Sequence, residues 1–142
     1  MADDCIFCRI AAGELPAQTV FEDDLVIAFL DLHPIREGHT LIIPRQHCPW
    51  FEDLPAVTAA RIMEIGQTLA RGMKAEWNVP RVAFFFTGIH VPHAHAHVVP
   101  MHHDHDVTSS VYLQEGPDRF TLPPSPGQDS LARTALKLRK HL

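Results

Sequence analysis

Three histidines alternate with alanines in the second half of the chain. His93, His95 and His97 occupy every second position, and side chains at alternate positions of an extended strand emerge on the same face. An imidazole has a pKa of about 6.5, so neutral nucleophilic rings and protonated anion-binding rings coexist near neutral pH. Such a row suits phosphorus chemistry, in which one ring attacks and its neighbours hold charge.

Two other interpretations are consistent with this row. A strand can deliver alternate histidines to one Zn²⁺, with a water molecule completing a catalytic site. The row also fits a polar strand face without chemistry. Against the catalytic metal, the segment 93–97 contains no acidic residue, and Cys5, Cys8 and His47 supply a separate set of metal-ligand types. The residues alone therefore favour phosphorus chemistry.

Composition restricts the class of protein. A chain of 142 residues has the length of one globular domain. The net charge of −5 and the scattered Lys and Arg argue against a nucleic-acid polymer or an anionic membrane as partner. No apolar run is long enough to span a bilayer, and the segment 1–4 is acidic where a secretory signal is positive. We expect a cytoplasmic protein, in which a CxxC pair indicates metal or redox chemistry before a disulfide.

The first half of the chain is expected to begin with a helix and continue as a meander. Apolar residues at helical spacing over 4–15 predict a short helix that carries the two cysteines. Runs of β-forming residues over 19–21 and 25–30 predict two strands around an acidic turn. A third strand is expected over 40–44. This order predicts an antiparallel sheet.

The second half is expected to position the histidine row. The segment 54–77 predicts a long amphipathic helix with Asp53 as its N-cap. The segment 82–87 predicts a strand buried on both faces, and 88–100 is expected to continue it as the strand of the histidines. A helix over 130–142 closes the chain. The apolar positions that define the long helix are Val57, Met63, Ile65, Leu69, Met73 and Trp77.

The sequence resembles the histidine triad family of nucleotide hydrolases and transferases. The resemblance covers residues 5 to about 100 in the family's order, and 117–142 is interpreted as a C-terminal extension of a single domain over 1–142. The blocks that carry it are Cys5-Ile-Phe-Cys8, Gly13-Glu-Leu-Pro16, Glu22-Asp-Asp24, Ala28-Phe-Leu-Asp31, Gly38-His-Thr-Leu-Ile-Ile-Pro44, His47 and His93-x-His95-x-His97.

The resemblance implies both a fold and a reaction. The fold is α+β, with a five-stranded antiparallel sheet, flanking helices and a homodimeric assembly. The reaction is hydrolysis at the α-phosphorus of a purine nucleoside phosphoramidate or a dinucleoside polyphosphate. His95 resembles the family's nucleophile, which forms a covalent nucleotidyl-imidazole that water then cleaves. His97 and His39 match positions that contact the α-phosphate and stabilise the charge developing there.

The resemblance also implies contacts to the nucleotide. Asp31 matches a carboxylate that accepts hydrogen bonds from the ribose, and His90 stands where it could replace a hydroxyl donor to phosphate. Each residue of the apolar slot for the base would suit an ordinary core position equally well. The residues that match this slot are Ile6, Phe7, Ile10, Phe29 and Leu32.

Some members of the family carry a structural zinc ion. The matching residues here are Cys5, Cys8, His47 and His93, and two thiolates with two imidazoles make a closed tetrahedral site. Such a site would hold the N-terminal helix to the sheet and orient the histidine strand without touching substrate. The alternative is that the cysteines are small packing residues. Cys48 adjoins His47, but adjacent extended side chains diverge, so we expect Cys48 to be a bystander.

The sequence departs from the family pattern before the first histidine. Many active members carry Asn, Gln and Ser near this point, whereas the segment 84–92 is mostly apolar, and Ile89 has no donor for a phosphate. A nucleotide-binding or regulatory protein with little turnover is therefore the alternative function. The histidine-rich segment 101–106 is expected to be a solvated loop, and Arg36 and Arg45 are expected to be surface charges.

Overall fold

A computed structural model describes residues 4–88, 90–108 and 122–142. None of the helices in these ranges has the length and apolar content needed to cross a bilayer. In chain order the elements are α1 (Ile6–Ala11), β1 (Thr19–Glu22), β2 (Val26–Leu30), β3 (Thr40–Pro44), a 3-10 turn (Phe51–Asp53), α2 (Ala56–Trp77), β4 (Arg81–Phe86), β5 (Ala96–Met101) and α3 (Gln128–Arg139).

The strands of the described chain form one five-stranded sheet in the order β1-β2-β3-β5-β4. Every neighbouring pair is antiparallel. Phe29 pairs with Leu41, Leu41 pairs with His97, and His97 pairs with Phe85. Directly paired residues point to the same face, so these four side chains form a row across the sheet. The expected five-stranded antiparallel sheet with flanking helices is confirmed.

Each face of the sheet carries its own apolar core. Along β2, Val26, Ala28 and Leu30 belong to the larger core, which α2 and α3 complete. Ile27 and Phe29 belong to a smaller core on the opposite face, beneath the N-terminal helix. The alternation follows from the two-residue period of a strand, and burial on both faces explains why β2 is apolar throughout.

The start of α2 differs from the expectation. Asp53 does not cap this helix, because it belongs to the preceding 3-10 turn, and Pro55 occupies the N-cap position. Pro55 is extended, with φ −55° and ψ 139°, so the chain becomes helical only from Ala56. No side chain in the described ranges caps the first turn.

The buried stripe of α2 also differs in part from the expectation. Val57 and Met63 are 64% and 47% exposed, so they do not belong to the core. The buried side chains of the stripe are Ile62, Ile65, Leu69 and Met73, at spacings of three to four residues. The helical period was therefore correctly recognised, and the face was misplaced at its N-terminal end.

The two short helices are displaced at their ends. α1 stops at Ala11, before Gly13 adopts φ +77°, and does not extend over the expected 4–15. α3 begins two residues before the expected segment 130–142 and ends at Arg139. Leu131 and Leu138 are buried as expected. Leu142 lies beyond the helix and is 39% exposed.

The region expected to be one strand from 82 to 100 is divided. β4 is an edge strand whose residues 82–86 are half-buried, because no described strand pairs with its outer edge. Gly88 follows with φ +70°, and β5 starts only at Ala96. Of the three histidines, His97 alone lies inside β5, and the other two lie in the segment that leads into it. Ile89 and residues 109–121 lie outside the described ranges.

Candidate functional site

Two cysteines and two histidines from distant parts of the chain meet beside α1. The ligand atoms of Cys5, Cys8, His47 and His93 all lie within 4.8 Å of one another. The His93 Nδ1 atom is 3.4 Å from each Sγ atom, and the His47 Nδ1 atom is 3.2 Å from Sγ of Cys8. In a tetrahedral zinc site these S···N separations are about 3.5 Å. The four residues are therefore spaced to hold a metal ion.

Hydrogen bonds orient the His93 ring for this role. Its Nε2–H donates to the Pro44 carbonyl at 2.8 Å, which leaves the Nδ1 lone pair facing the thiols. The side chain is fully buried, and this burial lowers the pKa of His93, which keeps the ring neutral. The Cys48 thiol instead donates to the Trp50 carbonyl, and Cys48 is not among the four clustered residues.

The backbone fixes which nitrogen of His95 carries the proton. The Nδ1–H donates to the His93 carbonyl at 2.7 Å, because a carbonyl can only accept, so Nε2 carries the lone pair. The ring packs edge-on against Phe7, with the centroids 5.1 Å apart, and its centroid is 5.0 Å from that of His97. The side chain is 5% exposed and borders a cavity of about 240 Å³.

A second chain of hydrogen bonds runs through His39 and His97. The Ile35 N–H donates to Nδ1 of His39 at 3.1 Å, so the proton of His39 must lie on Nε2. That Nε2–H donates to Nδ1 of His97 at 2.9 Å, which places the His97 proton on its own Nε2. The His97 Nε2 atom is buried and has no hydrogen-bond partner among the described residues. An oxygen of Asp31 lies 3.7 Å from His39 Nε2.

Burial keeps both of these rings neutral. The pKa of His97 is lowered to about 4, chiefly by burial and also by the neighbouring His39 and His95, and the attraction of the Asp31 carboxylate only partly opposes this shift. Burial also lowers the pKa of His39, against the attraction of Asp31. This series of hydrogen bonds therefore ends at the neutral His97 Nε2–H, which has no acceptor in the part of the protein that the structure describes. Buried polar groups in this state are costly, and a phosphoryl oxygen placed there would satisfy the donor.

The hydrogen bonds also bear on the catalytic-metal interpretation. Ligand atoms of Asp31, His39 and His97 lie close enough together to hold an ion. The Ile35 N–H, however, requires the proton of His39 to sit on Nε2, the atom that would have to bind the ion. His93 belongs to the cysteine group, so the three alternating histidines do not converge on one point. The arrangement favours proton donation at this position.

The low pKa of His97 predicts a pH dependence of stability. Because an exposed histidine has a pKa of about 6.5, the unfolded chain binds more protons than the folded chain between about pH 4 and pH 6.5. The free energy of unfolding should fall as the pH is lowered through this range. Between pH 7 and pH 5 we expect the wild type to lose about 1 kcal/mol more than His97→Gln, after allowance for partial exposure.

Urea unfolding at the two pH values measures this difference. His102→Gln is the control, because the His102 side chain is exposed and its backbone N–H makes the hydrogen bond to Asp106. This control should lose as much stability as the wild type. Equal losses in the wild type and in His97→Gln would contradict the assigned neutral state of His97.

The five residues expected to form the slot for the base differ in burial. Phe7 and Phe29 are buried in the smaller core, edge to face, with ring centroids 5.6 Å apart. Ile10 packs at the margin of that core and is partly buried. Ile6 and Leu32 are 48% and 49% exposed. Phe7 and Phe29 therefore lie inside the smaller core, and the other three residues lie above them at the surface of the protein.

His90 and residues 102–105 lie at the surface of the molecule. His90 is exposed and borders an open cavity of about 400 Å³. The expectation of a solvated loop over 101–106 is wrong for Met101, which is buried as the last residue of β5. Residues 102–105 are exposed, and Asp106 accepts two hydrogen bonds from Arg36 and one each from the backbone of His102 and His103. The Arg36 guanidinium lowers the pKa of Asp106 to about 2. Arg36 is thus a tether for this loop, which sequence reasoning missed.

Sequence reasoning also missed aromatic neighbours of the histidine row. Phe85 stacks on His97 with ring centroids 4.7 Å apart, and its place on the paired strand could have been found from strand parity. Trp50 and Phe51 line the cavity at His95. Their positions depend on the loop after β3, for which the sequence carries no comparable periodic signal.

Comparison with known proteins identifies the family of the chain. The model of the HIT domain matches residues 12–104. A HIT-like protein of Mycobacterium tuberculosis is 36% identical over 126 residues, which are 81% of this chain and 85% of that protein. The chain therefore belongs to the HIT domain family, as its motifs predicted.

Two further relatives have informative names. An adenosine 5′-monophosphoramidase of Saccharomyces cerevisiae is 37% identical over 97 residues, which are 68% of this chain and 61% of that enzyme. A zinc-bound histidine triad family protein from Mycobacterium smegmatis has a crystal structure similar to this one. Its TM-score is 0.76 at 26% sequence identity, over 99% of this chain and 94% of that chain.

Proposed function

We propose that the protein hydrolyses purine nucleotide conjugates at the α-phosphorus, through a covalent nucleotidyl intermediate on His95. The observation that carries the proposal is the hydrogen bond from His95 Nδ1–H to the His93 carbonyl, which in the neutral ring places the lone pair on Nε2, and this ring borders a cavity. An activated nucleophile of this kind divides one difficult displacement into two easier ones. The yeast relative, named as an adenosine 5′-monophosphoramidase, supports the substrate class.

The reaction has two balanced displacements. In the first, the Nε2 lone pair of His95 forms a bond to the α-phosphorus, and the bond to the leaving group breaks. The leaving atom keeps that electron pair and takes a proton from solvent. In the second, water attacks the phosphorus, the P–N bond to His95 breaks, and the nucleoside monophosphate departs. The Nε2 atom regains its lone pair, and the proton of the water passes to solvent.

His97 and His39 have separate tasks in this scheme. The Nε2–H of His97 has no acceptor among the described residues, and we assign it to an oxygen of the α-phosphoryl group. His39 holds His97 in the donating tautomer through their 2.9 Å hydrogen bond. A donor already oriented in the free enzyme needs no reorganisation when negative charge develops on the phosphoryl oxygens.

The nucleoside is assigned to the side of the alternating histidines on which Asp31 lies. One Asp31 oxygen accepts the His33 N–H at 2.8 Å, and the carboxylate retains acceptor capacity for the ribose hydroxyls. His90 is assigned to a phosphate oxygen. The purine is assigned to the partly exposed surface formed over the smaller core by Ile6, Phe7, Ile10, Phe29 and Leu32.

The metal group is assigned to structural Zn²⁺. Two thiols and two imidazoles suit zinc, and four protein ligands would leave no open position for substrate. Zinc bound by Cys5, Cys8, His47 and His93 would tie the N-terminal helix to the segment that carries the nucleophile. The zinc-bound relative from Mycobacterium smegmatis supports this choice of metal.

The proposal includes a homodimer in the cytoplasm. The outer edge of β4 is unpaired among the described strands, and its half-exposed residues 82–86 are mostly aromatic. A second copy would cover such an edge. The paired thiols of Cys5 and Cys8 suit a reducing compartment. The net charge of −5 is the reason to propose neither a nucleic-acid polymer nor a membrane as partner.

A substrate panel tests the proposed function. Nucleoside phosphoramidates and dinucleoside polyphosphates are incubated with the purified protein, with and without inorganic phosphate, and the nucleotide products are separated. We expect release of the nucleoside monophosphate from at least one class. Transfer would instead give the diphosphate when phosphate is present. Tight nucleotide binding without any product would contradict the proposal and favour a binding or regulatory protein.

A further inference from the structure

The turn that leads into β3 is fixed by its own backbone and by α2. The Arg36 carbonyl accepts the His39 N–H at 3.0 Å, which closes a turn over 36–39. Gly38 occupies the third position of this turn with φ +96°, a conformation in which other residues are strained. A Cβ atom there would lie 2.5 Å from the Trp77 ring, so the turn rests against the end of α2.

Two backbone groups of the same loop hold His39. The Asp31 N–H donates to the His39 carbonyl at 2.9 Å, and the Ile35 N–H donates to Nδ1 of the ring at 3.1 Å. The second bond places the proton of His39 on Nε2, which donates to His97 at 2.9 Å. A hydrogen bond weakens steeply when its atoms separate or its angle bends. The proton on His97 Nε2 therefore depends on how the loop 31–39 lies relative to β5.

One side-chain pair joins this loop to the end of β5. The Arg36 guanidinium donates from Nε and Nη2 to the two oxygens of Asp106, at 2.9 and 2.7 Å. The same carboxylate accepts the backbone N–H groups of His102 and His103, which directly follow Met101 at the end of β5. The Asp106 side chain is 7% exposed, so little water competes for these bonds. A bidentate pair of this kind fixes orientation as well as distance.

Two contacts hold the same turn independently of the Arg36 guanidinium. Trp77 packs against Gly38, and Glu37 accepts the Thr134 hydroxyl at 3.0 Å and the Lys137 ammonium group at 2.9 Å. These contacts attach the turn to α2 and α3. Loss of the guanidinium would therefore leave the loop folded against the two helices and release it from β5, the strand of His97.

We propose that Arg36 is a positioning residue that, through Asp106, keeps the proton of His97 on Nε2. The pair holds His39 against His97, and His39 then holds His97 in the donating tautomer. This inference rests on the proposed function, in which that N–H contacts an oxygen of the α-phosphoryl group. Such a donor matters most when negative charge develops on the phosphoryl oxygens, so its loss should lower kcat more than it changes KM.

Nitrogen NMR of the imidazole rings tests the proposal without a substrate. Isotopic labelling of histidine shows which ring nitrogen carries a proton. His97 of the wild type should be protonated at Nε2 alone, whereas Arg36→Gln should give a mixture of the two neutral tautomers. Arg36→Lys keeps the charge and gives the same comparison if the glutamine variant does not fold.

Arg61→Gln is the matched control for the NMR comparison. The Arg61 side chain is 33% exposed, against 36% for Arg36, and its Nε atom pairs with Asp23 at 2.7 Å. This pair joins α2 to the turn between β1 and β2. The control should leave the His97 spectrum and kcat unchanged.

Steady-state kinetics measure the effect on the reaction. Arg36→Gln should lower kcat for an adenosine phosphoramidate about tenfold and change KM less than about twofold. Arg36→Lys should be intermediate, since an ammonium group does not reproduce the bidentate fork. Asp106→Asn should also lower kcat about tenfold. The double variant should lose no more than either single variant, because the two groups act as one pair.

Each contrary result has a separate meaning. A wild-type His97 spectrum in folded Arg36→Gln would overturn the positioning role and leave the proposed function intact. Losses that multiply in the double variant would overturn action through the pair. A rise in KM confined to dinucleoside polyphosphates would show that Arg36 binds substrate directly, which also overturns the proposal. Absence of turnover by the wild type would contradict the proposed function, while the NMR comparison would still decide whether Arg36 sets the tautomer of His97.

Discussion

His95→Asn should abolish turnover of every nucleotide conjugate, with a fall in kcat/KM of about 10⁴-fold or more. The asparagine amide can still donate to the His93 carbonyl, the hydrogen bond that the imidazole makes at 2.7 Å. It has no nitrogen lone pair able to attack phosphorus. The variant therefore removes the nucleophile and retains the local hydrogen bond.

The measurement requires a folded, metal-loaded variant. Circular dichroism, melting temperature and metal content should match those of the wild type, because His95 is not among the four clustered ligand residues. His102→Asn is the control, since the exposed His102 side chain lies in the loop after β5, and this variant should retain full activity. Retention of one per cent or more of wild-type activity by His95→Asn would contradict its role as nucleophile.

Cys8→Ser should remove the metal and lower the melting temperature by about 10 °C. The Cys8 Sγ atom lies 3.2 Å from His47 Nδ1 and 3.4 Å from His93 Nδ1, so it links α1 to two distant segments. Structural zinc stabilises the fold that forms its site. The sheet retains its two apolar cores in the variant, so a loss of roughly 3–4 kcal/mol, short of complete unfolding, is expected.

Metal analysis and calorimetry on the same samples measure the two effects together. The wild type should contain one zinc ion per chain, and Cys8→Ser should contain none. Cys48→Ser is the matched control, because the Cys48 thiol donates to a backbone carbonyl outside the ligand group. It should keep both the metal and the melting temperature. Stoichiometric zinc in Cys8→Ser would contradict the assigned ligand set.

The Cys8→Ser variant should also lose part of its activity. The His93 ring faces the thiols through Nδ1, while the His93 backbone carbonyl accepts a hydrogen bond from His95 Nδ1–H. A ring freed from its ligand partners would let that carbonyl move. The proposed metal site and the proposed site of attack would therefore be coupled through His93.

Much of the fold could be predicted because local patterns were strong. The strand β3 was located over 40–44 from an apolar run that ends in proline, and the structure places it at Thr40–Pro44. The long helix was recognised from its period. The five-stranded sheet was predicted from the family resemblance, which rests on motifs spread over 5–100. No single local pattern specifies the number of strands in a sheet.

The errors arose where non-local contacts decide the structure. Alternating His and Ala predict a strand over 88–100, yet the Ala94 N–H donates to the Cys48 carbonyl instead of joining a strand ladder. The strand therefore starts only at Ala96. Likewise, β4 consists of β-forming residues that suggest full burial, but its place at the sheet edge leaves them half-exposed.

Parts of the site were predictable from residue type and parts were not. The metal group was expected from the motifs, and its residues meet in space. The tautomers of His39 and His97 depend on the Ile35 N–H, a backbone group that no side-chain motif reveals. Trp50 and Phe51 are residue types that are common in cores, and only the fold shows that they border the cavity beside His95.

Direct detection of the covalent intermediate tests the central claim. The protein is mixed with an adenosine phosphoramidate, quenched within milliseconds under conditions that preserve the phosphorus–nitrogen bond, and digested for mass spectrometry. We predict an adenylyl group on His95, formed and lost at rates that account for steady-state turnover. Turnover without an adduct at His95, or with the adduct on His97, would contradict the account.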